Sequence, residues 1–274
     1  MPNGRVNPAG RLGTLLLIVD VVIPARNEVA TVASLVTPLR ARGHRVIVVD
    51  SASSDATGAA AAAAGAEVVR VERPGKGRAL RRGVEATASE VVVFCDADLL
   101  SFDPLWLETL AAPLADPGVH LVKPVYARPL RLRDVAPSPG EGGRVTEILA
   151  RPLLATLAPE LASLAQPLAG EYAARRGTLL ECGFPDGYGV EIALLLQIAD
   201  LHGAGAVVEV DLHTQRWHRN RPLHELSATA EEVLRAALTV LEGQGRIKLS
   251  DPVDVPLTRP RPSSPPFRVQ QRTV

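Results

Sequence analysis

The sequence predicts an α/β fold in which parallel strands form the centre of the sheet. Apolar runs of strand length recur along the chain, and stretches with helical spacing of apolar residues separate the early runs. Polar or glycine-rich segments follow several of these runs, at the carboxyl ends of strands, where such sheets bind ligands. The expected strands are residues 15–23, 46–49, 68–71, 91–94, 121–125 and 206–210.

Helices are expected between and after these strands. In the first half, residues 28–40 have apolar side chains at helical spacing, and in residues 54–64 Ser and Asp precede an alanine run. The second half is more helical, with helices expected at 145–157, 190–202 and 227–241. We expect a ragged N-terminus over 1–18, one domain over 19–249, and a Pro- and Arg-rich tail over 250–274.

The overall composition excludes several classes of protein. The 274 residues are 46% apolar, and 30 Lys and Arg balance 30 Asp and Glu, so the basic excess of a nucleic-acid-binding protein is missing. Cys95 and Cys182 are too few for a disulfide framework or a zinc site, which favours the cytoplasm. The apolar run at 15–19 lacks a small-x-small cleavage site and is too short to span a membrane. We therefore expect no membrane partner.

Two acidic residues follow the apolar run at 91–95. Asp96 and Asp98 stand one residue apart at the end of an expected buried strand. Their carboxylates are hard oxygen donors, suited to a Mg²⁺ or Mn²⁺ ion that keeps part of its coordination shell for phosphate oxygens. A solvated turn after a strand is the alternative, and the polar residues at neighbouring strand ends favour the metal site.

Other strand ends also have polar residues. Asp50 and Ser51 follow the run 46–49, where a carboxylate suits a base or ribose hydroxyl, although this serine-rich segment could also cap the next helix. Lys76 lies between two glycines and is one of three lysines in a chain whose other basic residues are arginines. That bias indicates a position that requires a compact ammonium, with a turn lysine as the alternative. Lys123 ends another strand and could equally be structural.

The second half contributes an anion-binding segment and a buried carboxylate. A glycine-rich loop over 140–143 enters a helix, where free N–H groups, Arg144 and the Thr146 hydroxyl suit a phosphate; a simple capped helix is the alternative. Glu191 shares a helix face with the apolar residues at 194, 195 and 198, so its carboxylate needs a partner. The helix N-terminus or a substrate hydroxyl could supply it. For His218, which follows the last expected strand, a structural role is the alternative to a functional one.

Between about Val21 and Leu241 the chain contains a series of short motifs. In order they are VIPARNE, VVDSASSDAT, GKGRAL, VVVFCDADL, LVKPVY, GGRVTEILARPLL, QPLAGEYAARR, GYGVEI and HRNRPL. Each is modest by itself, whereas the ordered set is highly specific. The chain thereby resembles the GT-A-type nucleotide-sugar glycosyltransferases. More closely, it resembles the retaining family that includes glucosyl-3-phosphoglycerate synthase and mannosyl-3-phosphoglycerate synthase. The resemblance implies a nucleotide-sugar half at 19–126 and an acceptor half at 127–249.

The resemblance also implies roles for residues of this chain. Ala169 and Arg26 depart from the family pattern, where glycine and leucine are expected, and leave the choice of sugar and nucleotide open. Asp98, Glu191 and Arg144 are the catalytic candidates. The nucleotide-sugar candidates are Pro24, Ala25, Glu28, Ser51, Lys76, Asp96, Ala97, Leu168, Ala169, Tyr188 and Glu191; the metal candidates are Asp96, Asp98 and His218; the acceptor candidates are Gly143, Arg144, Thr146 and Asn220.

The activity implied by the resemblance is transfer of glucose from UDP-glucose to the 2-hydroxyl of 3-phosphoglycerate, with Mg²⁺ or Mn²⁺ as cofactor and a homodimer as the assembly. Two related activities remain as alternatives: mannose transfer from GDP-mannose, and transfer to a polyprenyl phosphate, which would call for a membrane anchor that the sequence lacks. A nucleotide-sugar-binding protein without turnover is an alternative of a different class, disfavoured by the intact metal candidates.

Overall fold

The computed structural model describes residues 18–100, 102–127, 143–215 and 223–249. Within these residues seven strands form one sheet: β1 (Asp20–Ala25), β2 (Arg45–Ser51), β3 (Glu67–Val71), β4 (Val91–Phe94), β5 (Leu121–Ala127), β6 (Tyr172–Arg175) and β7 (Val207–Gln215). Their order across the sheet is β3-β2-β1-β4-β6-β5-β7. The expected tail over 250–274 and the segment before residue 18 lie outside the described residues.

Helices connect and flank these strands. Short 3₁₀ turns occupy Ala112–Ala115, Pro159–Leu161 and Ala204–Ala206, and a π-helical turn occupies Thr146–Ala150. None of the helices in the described ranges is both long and apolar enough to cross a bilayer. The α-helices are α1 (Val32–Ala41), α2 (Thr57–Ala63), α3 (Lys76–Ala86), α4 (Leu105–Ala111), α5 (Arg151–Leu157), α6 (Arg176–Glu181), α7 (Val190–His202) and α8 (Leu223–Gly243).

The centre of the sheet is parallel, as predicted. β1 pairs in parallel with β2 and β4, β2 pairs in parallel with β3, and β5 pairs in parallel with β7. Only β6, among the described strands, runs against its neighbours, and it joins β4 to β5. The sequence analysis missed β6 because four residues, two of them alanine, have no strand pattern of their own; its pairing partners define it.

Each face of the sheet packs against its own set of helices, because successive strand residues point to opposite sides. Val22 and Phe94 belong to a core that also contains buried residues of α3, α7 and α8. Val21 and Ile23, on the other face, pack with buried residues of α1, α2 and α4. The carboxyl edge of β1, β2 and β4 is left between these two layers, next to the starts of α3 and α7.

Several element boundaries differ from the prediction for local reasons. The strand expected at 15–23 begins at Asp20, whose buried carboxylate accepts hydrogen bonds from the backbone N–H groups of Ala88 and Ser89 at 3.0 and 3.3 Å. The helix expected at 28–40 begins at Val32 because Glu28 O accepts hydrogen bonds from the two N–H groups at 31 and 32, which form a turn. The helix expected at 145–157 is divided into the π-helical turn and α5, and α8 begins before 227.

Three α-helices were not predicted: α3, α4 and α6. α3 matters most for function because it starts at Lys76. Its glycine-flanked start looks like a loop in the sequence. Its packing depends on Gly83, where a Cβ would lie 2.2 Å from Val22 Cγ1 of the central strand. The close approach of helix to strand, which sequence spacing does not reveal, therefore fixes where Lys76 stands.

Candidate active site

A cavity of about 990 Å³ lies at the carboxyl edge of β1, β2 and β4 and is closed on one side by α8. Ligands of parallel α/β sheets bind at this edge. The structure brings together here nine of the residues singled out in the sequence: Pro24, Ala25, Glu28, Ser51, Lys76, Asp96, Ala97, Asp98 and Tyr188.

The loops after β1 and β2 are joined to each other at the edge of this cavity. Asn27 N donates to Ser53 Oγ at 3.0 Å, and its side-chain Oδ1 accepts a hydrogen bond from Ser54 N at 2.9 Å. Glu28 N donates to Thr57 Oγ1 at 2.8 Å. Some of the polar side chains that could have capped α2 thus hold two strand ends together, and these hydrogen bonds support the backbone that carries Pro24, Ala25 and Ser51.

Asp50 has a different place from its neighbour Ser51. Its carboxylate is buried, accepts a hydrogen bond from Ser53 N at 3.1 Å, and is not among the residues that line the cavity. Ser51 does line the cavity, and its Oγ accepts a hydrogen bond from Gly75 N at 3.1 Å, just before α3. Ser51 therefore connects the β2 end to the glycine-flanked start of α3.

Lys76 lies between two carboxylates that are far apart in the sequence. Its Nζ is 2.8 Å from Asp96 Oδ1 and 2.7 Å from Glu191 Oε1. Burial on its own lowers the pKa of Lys76, but the charges of Asp96 and Glu191 more than offset it and hold the pKa well above its usual value. Lys76 is thus a fixed positive charge inside the cavity, and it is the partner that the sequence analysis required for Glu191.

The β4 end presents both predicted metal ligands to the cavity. Asp96 and Asp98 are partly exposed, and Ala97 O between them accepts a hydrogen bond from Thr31 Oγ1 at 2.6 Å. Among the described residues, no group of three or more His, Cys, Asp or Glu side chains could enclose a metal ion. Two carboxylate donors facing an open cavity fit a Mg²⁺ or Mn²⁺ ion that takes its other ligands from a diphosphate. The third predicted ligand, His218, lies outside the described residues.

The two residues predicted to line the sugar pocket lie on an irregular segment, residues 165–171, beside the metal candidates. Leu168 is partly buried against the core, and Ala169 is 1% exposed. Gly170 touches Asp96: a Cβ at this glycine would lie 2.1 Å from Asp96 Oδ2. The position of this segment and that of the Asp96 carboxylate are therefore coupled sterically.

Tyr188 and Glu191 belong to the turn and first helical residues at the start of α7. Tyr188 is 39% exposed and lines the cavity, and its N–H donates to Glu232 Oε2 of α8 at 2.6 Å. Gly187 and Gly189 pack so closely on Glu232 that a Cβ at either would collide with it. Glu232, which the sequence analysis missed, therefore positions the turn, and only its place on the cavity side of α8 identifies it.

The predicted acceptor residues lie apart from the cavity lining. Gly143, with φ +74°, and Arg144 precede the π-helical turn, in which Thr146 is buried. This turn packs against α8, and Arg151 Nη2 of the following helix donates to Ala165 O at 2.9 Å. Gly143, Arg144 and Thr146 thus stand on a unit that contacts both α8 and the 165–171 segment. Asn220, the fourth acceptor candidate, lies outside the described residues.

Comparison with known proteins shows which families this chain resembles. The model of the glycosyl transferase family 2 matches residues 20–137. Glucosyl-3-phosphoglycerate synthase from Mycobacterium tuberculosis is 45% identical over 236 residues, which are 81% of this chain and 72% of that protein. The protein of the same name from Petrotoga mobilis is 35% identical over 248 residues, or 85% of this chain and 76% of that one.

Solved structures resemble the fold as well. The crystal structure of the M. tuberculosis glucosyl-3-phosphoglycerate synthase with Mn²⁺, UDP-glucose and phosphoglyceric acid matches with a TM-score of 0.73 and 42% identity, covering 82% of this chain and 80% of that one. A structure of that protein with Mg²⁺ and UDP also matches with a TM-score of 0.73 and 42% identity, covering 82% and 79% of the two chains. These matches confirm the predicted GT-A fold.

Proposed function

Because the chain belongs to the glucosyl-3-phosphoglycerate synthase family of glycosyltransferases, we propose that it transfers glucose from UDP-glucose to the 2-hydroxyl of 3-phosphoglycerate. The observation that carries this proposal is the cluster of Lys76, Asp96 and Glu191 in a cavity at the carboxyl edge of the sheet. It combines a cation for a diphosphate, a metal-ligand carboxylate and a carboxylate for sugar hydroxyls. Mannose transfer and transfer to polyprenyl phosphate are not favoured, since relatives of this similarity are glucosyl-3-phosphoglycerate synthases.

The nucleoside diphosphate would lie along the loops after β1 and β2 and reach the start of α3. Pro24, Ala25, Glu28 and Ser51 line this part of the cavity, and the Lys76 ammonium is a compact donor suited to the phosphate oxygens. Asp96 and Asp98, with His218 as the third protein ligand, would hold Mg²⁺ or Mn²⁺. When bound, this ion neutralises charge on the diphosphate leaving group.

The sugar would lie between the 165–171 segment and the start of α7. Glu191 is only 5% exposed and is paired with the Lys76 ammonium at 2.7 Å, so it suits orientation of sugar hydroxyls better than nucleophilic attack. The bond from sugar C1 to the phosphate oxygen breaks, and a bond from C1 to the glycerate 2-oxygen forms on the same face. The proton of the attacking hydroxyl passes to the departing phosphate oxygen, so the products are UDP and glucosyl-3-phosphoglycerate.

The acceptor has a phosphate and a carboxylate, and the candidate acceptor segment is suited to such an anion. Arg144 offers a bidentate guanidinium. The loop at Gly143 leads into the π-helical turn, and the first backbone N–H groups of this turn come before the regular helical hydrogen bonds begin. A neutral sugar or a lipid has no anionic group that could accept a bidentate hydrogen bond from this guanidinium. This favours phosphoglycerate as the acceptor.

Removal of the Arg144 guanidinium should weaken acceptor binding selectively. A charge-assisted hydrogen bond contributes about 1.5–3 kcal/mol, so Arg144→Ala should raise the apparent KM for 3-phosphoglycerate by roughly tenfold to a hundredfold. UDP-glucose affinity by calorimetry should stay near that of the wild type. Arg81→Ala, an exposed arginine of α3 that pairs with Glu85, is the control for charge removal. Equal losses for both substrates would point to a folding defect, and no loss would place the acceptor elsewhere.

A thermal-shift series should separate the proposed donor from its alternatives. A ligand that binds only the native state at a hundred times its Kd adds about 2.7 kcal/mol of stability, which raises the Tm of a domain of this size by roughly 5–10 °C. We expect this rise with UDP-glucose and Mn²⁺ together, a much smaller rise with UDP-glucose and chelator, and none with GDP-mannose. A larger rise with GDP-mannose would overturn the choice of donor.

We also propose that residues 19–249 act as one catalytic domain, that two copies form a homodimer, and that the protein works in the cytoplasm. The support is the family resemblance together with the sequence features given above. Sedimentation equilibrium should give twice the mass of one chain at micromolar concentration, and a single-chain mass over that range would contradict the dimer.

A further inference from the structure

Lys123, in the middle of β5, is a buried ammonium that touches the backbone behind the sugar pocket. It is 1% exposed, its Nζ donates to Ala169 O at 2.8 Å, and its Nζ lies 4.7 Å from the centre of the Tyr172 ring. Burial lowers its pKa to about 8, although the charges of Glu191, Glu171 and Asp96 act in the opposite direction. An apolar side chain would fill the same volume without the cost of burying an amine. The lysine adds the hydrogen bond to Ala169 O and the contact of its ammonium with the Tyr172 ring, and only the first of these reaches the 165–171 segment.

The segment that receives this bond has no regular secondary structure at its centre and depends on side chains for its shape. At its N-terminal end Ala165 N donates to Glu209 Oε1 of β7 at 2.6 Å. At its C-terminal end Glu171 Oε2 accepts a hydrogen bond from Tyr126 Oη at 3.0 Å. Lys123 fixes the middle. Three side chains from the neighbouring strands β5 and β7 therefore anchor residues 165–171 at three points.

The middle of this segment contacts the carboxylate of Asp96, a candidate metal ligand. Gly170 follows Ala169, and its Cα packs so closely on Asp96 that a Cβ there would lie 2.1–2.4 Å from the carboxylate atoms. Asp96 in turn is 2.8 Å from Lys76 Nζ. A shift of the Ala169 carbonyl would therefore change the width of the sugar pocket, whereas Asp96 would keep its pairing with Lys76.

We infer that Lys123 is a positioning residue for glucose transfer, which acts through Ala169 to hold the 165–171 segment against Asp96 and at the sugar. It touches no substrate in this arrangement. The inference rests on the proposed function, because Leu168 and Ala169 form a sugar pocket only if the cavity binds a nucleotide sugar.

The test is a split between catalysis and nucleotide binding in Lys123→Met, which keeps the length of the side chain but removes its donor. Misplacement of a reacting group by about 1 Å costs up to a hundredfold in rate, so we expect kcat to fall by about tenfold to a hundredfold. The Kd for UDP with Mn²⁺ should change by less than about threefold, because uniform nucleotide binding is retained. The KM for UDP-glucose should change less than kcat.

Thr178→Val is the matched control, because it also removes a buried polar group. Thr178 Oγ1 is paired with His120 Nδ1 at 2.7 Å, away from the cavity lining. The Thr178→Val variant should be less stable than the wild type but keep its kcat. Lys123→Gln, which keeps an N–H donor, should recover part of the lost kcat, and it replaces Lys123→Met if that variant does not fold.

Three results would overturn the inference: wild-type kcat in Lys123→Met, parallel losses of kcat and UDP affinity, or an equal loss of kcat in Thr178→Val. Transfer by the wild-type protein is measured first. No transfer there contradicts the proposed function, whereas normal transfer in both the wild type and Lys123→Met contradicts only the role of Lys123.

Discussion

Asp98→Ala should abolish glucose transfer and leave the fold intact. Asp98 lines the cavity at the end of β4 and is partly exposed, so the loss of its side chain creates no large void in the core. Without Asp98, the cation loses one carboxylate ligand and binds more weakly. Less positive charge then offsets the repulsion between the diphosphate and Asp96. We expect kcat/KM to fall by more than about a thousandfold, or roughly 4 kcal/mol of transition-state stabilisation.

The measurement combines initial rates, Mn²⁺ binding by electron paramagnetic resonance, and thermal unfolding. Asp200→Ala, an exposed acid near the end of α7, is the control and should change none of the three. His218→Ala should raise the Mn²⁺ concentration required for half-maximal rate. Full activity of Asp98→Ala, or unchanged activity of the wild type in chelator, would remove the metal from the mechanism.

Lys76→Met should have opposite effects on the binding of metal and of nucleotide. The Lys76 ammonium is paired with Asp96 and Glu191 at 2.8 and 2.7 Å, so it competes with a metal ion for Asp96. Without it, Mn²⁺ alone should bind more tightly. UDP in the presence of Mn²⁺ should bind about tenfold to a hundredfold more weakly, because a charge-assisted hydrogen bond of about 1.5–3 kcal/mol to the diphosphate is lost.

Calorimetric titrations with Mn²⁺ alone, and with UDP at saturating Mn²⁺, measure both effects. Lys248→Met removes the exposed lysine after α8 and is the matched control, with no change expected in either titration. Weaker binding of both ligands to Lys76→Met would mean that Lys76 only maintains the structure. Undiminished UDP affinity would place the diphosphate away from the start of α3.

The parts of the fold that could be predicted are those in which the sequence itself carries the pattern. Five of the six expected strands begin within one residue of an observed strand, and the helix at 190–202 was placed correctly, because long apolar runs and helical spacing are local signals. β6 and α3 have weak local signals. They form because β4 and β5 offer edges to pair with, and because Gly83 allows a helix to approach Val22.

The residues of the candidate site also divide into those with a local sequence signal and those without one. Asp96 and Asp98 could be found because they stand at a strand end, where the sequence has an abrupt change from apolar to polar, whereas Ser51 became a candidate only through the family resemblance. The pairing of Lys76 with Glu191 could not, since it depends on how α3 and α7 pack. Lys123 remained ambiguous for the same reason: its partner is a backbone carbonyl 46 residues away, and backbone carbonyls leave no mark in a sequence.

The most direct test of the central claim is identification of the product. The protein is incubated with Mn²⁺, UDP-glucose and 3-phosphoglycerate, and the mixture is analysed by mass spectrometry and by nuclear magnetic resonance of the anomeric carbon. We predict equal amounts of UDP and a glucosyl-3-phosphoglycerate in which glucose C1 is joined to the 2-oxygen with its original anomeric configuration. Release of free glucose without this product, or a mannosyl product formed in preference from GDP-mannose, would contradict the account.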